Sequence, residues 1–80
     1  MNDCRKLLET LPRDGAKTVL YKEAEKLLQM VEESPGAKVA IAGQYGRLHD
    51  LVENFSRTLI LRPSEAEVYK RFLICISKVF

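Results

Sequence analysis

Apolar residues fall at helical spacing from the start of the chain. Cys4, Leu7, Leu8 and Leu11 stand at i, i+3, i+4 and i+7, and Asn2 or Asp3 offers a side-chain oxygen to the free amides ahead of them. The pattern predicts a short helix over residues 2–11, stopped by Pro12 and the Arg13-Asp14-Gly15 turn. A second stripe, Leu20, Ala24, Leu27, Leu28 and Val31, predicts a longer helix over residues 18–34. Glu23, Glu25, Lys26 and Glu32 lie largely off that stripe. Lys22 with Glu25, and Glu23 with Lys26, add opposite charges three apart. Its first residues, Thr18-Val19-Leu20-Tyr21, also fit a short strand. Ser34-Pro35-Gly36 ends the element.

The next segment is less uniform. Residues 38–42 fit a strand or a helix start, and Tyr45, Leu48, Leu51, Val52 and Phe55 are helically spaced. Gly43 and Gly46 each cost about 1 kcal/mol inside a helix, which argues for a turn or helix start near them. Residues 57–80 admit two readings. In one, Ser64 caps a helix with Glu67 completing a capping box, and Val68, Phe72, Cys75, Ile76 and Val79 form its face. In the other, residues 57–63 and 67–76 are two strands joined by a turn, since β-branched and aromatic residues are dense in both.

Composition narrows the class. Eighty residues make one small domain, 1–80, with ordinary apolar content and charges of both signs. Net charge is +2. Residues 1–36 carry six Lys/Arg against seven Asp/Glu, and residues 37–80 carry seven against four, so the second half is the better candidate for meeting phosphate. No apolar run approaches the roughly 20 residues that cross a bilayer, and the first 15 residues do not have the pattern of a secretory signal. Cys4 and Cys75 lack metal-site spacing. Two reduced, buried thiols in an intracellular protein are the expectation, and a disulfide joining the termini is the alternative.

No nucleophile elbow, metalloprotease helix or phosphate loop occurs, and the single histidine has no cysteine at a usable spacing. Catalysis is therefore not expected, nor is a cofactor or a metal. Gly43-Gln44-Tyr45-Gly46 has the G-x-x-G spacing that clamps phosphates in KH domains. Only Arg47 follows it, so it reads as a helix-start turn.

The order of elements carries one resemblance. A short helix, a longer helix and a third helix led by Tyr45-Gly46 with Leu48 and Leu51 precede the strand-like Leu59–Leu61 run. This resembles a winged helix-turn-helix domain, most of all the LOTUS (OST-HTH) type of RNA-associated proteins. The resemblance implies an α+β, winged-helix-like fold: three helices with a small β-hairpin wing. The alternative is an all-α four-helix bundle. It also implies RNA binding or docking of a protein partner.

Candidate nucleic-acid contacts are Gln44, Tyr45, Arg47 and His49 on the third helix and Arg57, Arg62, Lys70 and Arg71 on the wing. The rival reading of those last four is a sheet edge kept charged against edge pairing. Asp50 and Glu53 repel phosphate, so tight duplex binding is not expected. Tyr69, Phe72, Ile76, Val79 and Phe80 crowd the C-terminal segment with Ile74, more apolar surface than one small core can hide. They are candidates for a protein interface or self-association.

Overall fold

The structure, a computed structural model, describes residues 2–79. It contains helices α1 (Asn2–Thr10), α2 (Thr18–Glu33), α3 (Lys38–Arg57) and α4 (Pro63–Val79), with a 3-10 turn at Gly15–Lys17. No strand occurs among the described residues. The helices close a ring: α1 packs on α2 and α4, α2 on α3, and α3 on α4. The fold is all-helical, so the α+β winged-helix expectation is corrected in favour of the four-helix alternative.

The first two helices follow the sequence pattern. Cys4, Leu8 and Leu11 of the first segment and Leu20, Ala24, Leu27, Leu28 and Val31 of α2 are buried. The β-rich Thr18–Tyr21 run is the first turn of α2, not a strand. Asn2 and Asp3 lie inside α1 rather than ahead of it.

The third helix starts earlier than the glycines suggest. Gly43 and Gly46 sit inside α3, because Ile41, Gln44, Leu48 and Val52 line one continuous buried stripe across them. A Cβ added at either glycine meets nothing within 4 Å. No close approach requires them, so Gly43→Ala and Gly46→Ala each raise stability by about 0.5–1 kcal/mol. Chemical denaturation measures this, and a loss of stability at both positions contradicts it.

The segment read as a hairpin is a helix end, a turn and a helix. The Leu59 N–H bonds the Ser56 carbonyl at 3.2 Å and the Ile60 N–H bonds the Phe55 carbonyl at 2.9 Å, the two bonds of a Schellman C-terminus. Leu59 occupies the left-handed position of that motif, φ 62°. Then α4 begins one residue before the anticipated cap. Pro63 takes the first helical position, and the Arg62 N–H donates to Glu65 Oε1 at 2.9 Å. Ser64 is therefore inside the helix. The buried face is Ala66, Tyr69, Phe72, Leu73 and Ile76, which is helical spacing that the β-branched composition concealed.

The cysteines are joined. Cys4 on α1 and Cys75 on α4 form a disulfide with Cα atoms 5.7 Å apart, which corrects the expectation of two free thiols. Packing α1 against α4 brings together residues 71 apart in sequence.

Polar contacts fix the ends of the bundle. The Tyr69 hydroxyl donates to the Pro12 carbonyl at 2.7 Å, tying α4 to the turn after α1, and burial holds its pKa well above the usual phenol range. Lys17 Nζ donates to Glu65 Oε2 at 2.6 Å. That bond lowers the Glu65 pKa, helped by the Arg62 N–H, and raises the Lys17 pKa. Arg5 pairs with Glu32 across α1 and α2, and its pKa is raised by that hydrogen bond.

A candidate interaction groove between α3 and α4

Two depressions lie against the C-terminal helices α3 and α4. One depression of about 270 Å³ is lined by Tyr45 and His49 from α3 and by Lys70, Leu73 and Ile74 from α4. A second, of about 350 Å³, lies towards the α3–α4 turn. It is lined by Ser56, Leu59, Leu61, Pro63, Ala66, Glu67 and Lys70. Lys70 borders both.

The helical repeat explains why these residues meet. Tyr45 and His49 are four apart on α3, and Lys70 and Ile74 are four apart on α4, so each pair stands on one helix face. The wall at the turn is set by the α4 start, where Glu65 holds both the Arg62 amide and Lys17. Ile74 is exposed at 54% on the lip of the groove.

Electrostatics around the two depressions are uneven. His49 Nδ1 lies 3.8 Å from Asp50 and His49 Nε2 lies 3.6 Å from Glu53, so the middle of α3 is acidic around its histidine. At the turn the balance reverses. Arg57, Arg62 and Lys70 are exposed, and none of their side-chain cations forms an ion pair within 4.0 Å among the described residues.

The eight residues anticipated as nucleic-acid contacts divide. Tyr45, His49 and Lys70 converge on the groove. Gln44 is buried, and its Nε2 donates to the Glu23 carbonyl at 3.1 Å and to Glu23 Oε1 at 2.8 Å. Arg47 Nε donates to the same Oε1 at 2.9 Å. Those two residues bind α3 to α2 on the side where Glu23 lies. Arg71 lies 3.7 Å from Glu67, one turn back on α4. Arg57 and Arg62 flank the turn.

The anticipated interface residues divide as well. Tyr69, Phe72 and Ile76 are fully buried in the chain's own core, Val79 is half-exposed, and Phe80 lies outside the described residues. The exposed apolar residues at the groove are instead Ile74 and, at its turn end, Leu59.

Leu59 has a local conflict that no sequence pattern flags. The residue is 81% exposed, and its left-handed backbone costs an L-residue roughly 1–2 kcal/mol where glycine costs none. Ile60, next in the motif, is exposed at 39%. Elsewhere, Val19 and Val39 are single exposed valines at the starts of α2 and α3 and line neither depression.

No family model, curated protein or solved structure matches this chain.

Proposed function

We propose that the chain is a non-catalytic helical interaction module that seats a segment of a partner protein along the α3–α4 groove. The observation that carries this reading is the depression beside exposed Ile74, backed by buried Leu73 and bordered by Tyr45, His49 and Lys70. An aromatic and an aliphatic beside a few polar groups is how helix-in-groove recognition is built. A tight nucleic-acid site fits less well. Asp50 and Glu53 surround His49, and Arg47 and Gln44 are committed to Glu23.

The Cys4–Cys75 bond bears on where the module works. A cross-link of this kind persists in oxidising compartments, so it favours such a setting over the intracellular one expected for free thiols.

The test is selection of a displayed random peptide library on the folded, disulfide-intact chain. Enriched peptides bind the wild type and lose about tenfold or more in affinity for Ile74→Glu, which places a charge on the lip of the groove. Val39→Glu, on an exposed valine away from the groove, leaves their affinity unchanged. Peptides equally sensitive to both substitutions, or to neither, place the interaction elsewhere and overturn the reading.

A further inference from the structure

Resting on that reading, we infer that the partner segment is acidic and that its apolar anchor packs on Leu59 at the α3–α4 turn. Two independent observations converge there. The first is charge. Residues 56–63, Ser-Arg-Thr-Leu-Ile-Leu-Arg-Pro, hold two arginines and no acid. The side-chain cations of Arg57, Arg62 and Lys70 form no ion pair within 4.0 Å among the described residues, whereas Glu65 pairs with Lys17 and Glu67, which lines the same depression, lies 3.7 Å from Arg71. Lys70 lines the depression beside Glu67, and Arg57 and Arg62 flank the turn next to it, so cations outnumber the carboxylate there and complement carboxylates on whatever enters.

The second is Leu59. The Schellman turn closes through backbone bonds that a glycine makes at least as well. The leucine side chain is left in solvent, so burial within this chain does not offset its unfavourable backbone. Its side chain borders the 350 Å³ depression together with Leu61, Pro63 and Ala66. An aliphatic group held out at that place is positioned to be covered by a partner. The acidic segment therefore lies with its apolar residues in the groove and its carboxylates towards Arg57, Arg62 and Lys70.

The peptides enriched on the wild-type chain supply the first readout. Their sequences carry Asp and Glu in clear excess over the unselected library, and their affinity falls with added salt. Leu59→Gly supplies the second. The variant keeps or raises the melting temperature, because glycine suits the turn, yet binds the enriched peptides about tenfold more weakly. The double variant Arg57→Glu, Arg62→Glu, both exposed, weakens them by at least about tenfold.

Two other polyanions are tested beside the peptides: a single-stranded RNA oligonucleotide and phosphatidylserine-containing vesicles. Weaker binding of both than of the acidic peptides supports the inference. Equal or tighter binding of either, lost in Leu59→Gly and in the arginine variant, overturns it. So do enriched peptides that are neutral or basic, and so does unchanged affinity in Leu59→Gly. In those peptide outcomes, continued sensitivity to Ile74→Glu leaves the groove assignment standing while the acidic partner falls. Loss of the Ile74 dependence removes both.

Discussion

Removing the Cys4–Cys75 disulfide lowers the stability of the folded chain by about 4 kcal/mol. The cross-link closes a loop with a sequence separation of 71, and in the chain-entropy treatment a loop of that length restricts the unfolded state by about this amount. A domain of 80 residues has roughly 4–12 kcal/mol in total, so at least about a third of the margin depends on one bond. The double substitution Cys4→Ala, Cys75→Ala therefore lowers the melting temperature by roughly 15–30 °C. Reduction of the wild type has the same endpoint but is slow, because Cys4 is fully buried and the bond opens to a reductant only when α1 lifts from α4. Thermal unfolding with and without reductant, with thiol titration of the denatured chain, checks this. Two titratable thiols in the unreduced protein, or a melting temperature indifferent to reductant, is the contrary result.

Phe72→Ala is the second large loss. Phe72 is completely buried on α4, the helix that contacts both α1 and α3, so truncation removes apolar burial and leaves a cavity where helices meet. The expected cost is about 3–5 kcal/mol. Two neighbours calibrate it. Tyr69→Phe deletes only the hydroxyl that the Pro12 carbonyl accepts, for about 1 kcal/mol. Ile74→Ala, on the exposed lip of the groove, falls within about 0.5 kcal/mol of wild type. Urea denaturation with an unchanged slope separates these as stability effects. A Phe72→Ala cost no greater than that of Ile74→Ala means α4 does not bury the face described.

The first half of the fold was legible because its apolar stripes and its stops agree. Leu20, Ala24, Leu27, Leu28 and Val31 repeat with helical period and end at Ser34-Pro35-Gly36, and all five are buried. The second half misled for two physical reasons. Gly43 and Gly46 each weaken a helix by about 1 kcal/mol, yet the burial of Ile41, Gln44, Leu48 and Val52 carries α3 straight through them. The β-branched and aromatic density of residues 57–76 favours strands locally, but Tyr69, Phe72, Leu73 and Ile76 find a core only as one helical stripe. The cysteine pairing had no local sign, since only the packing of α1 on α4 brings the two together.

The candidate groove residues were legible in part. Tyr45, His49 and Lys70 were picked out for their chemistry, and the α3–α4 packing gathers them on one groove instead of a wing. Gln44 and Arg47 looked equally available, but Glu23 on α2 occupies them, a partner 21 and 24 residues away. Leu59 read as a strand residue because left-handed backbone is rare for leucine, so nothing in its identity announces the turn it makes.

The most direct test of the groove is a chemical-shift map of the isotope-labelled, disulfide-intact chain titrated with a peptide enriched on it. The groove assignment predicts that the largest shifts fall on Tyr45, His49, Ser56, Leu59, Lys70 and Ile74, with α1 and the outer face of α2 unmoved. Shifts concentrated on α1 and α2, with those six residues unmoved, contradict it.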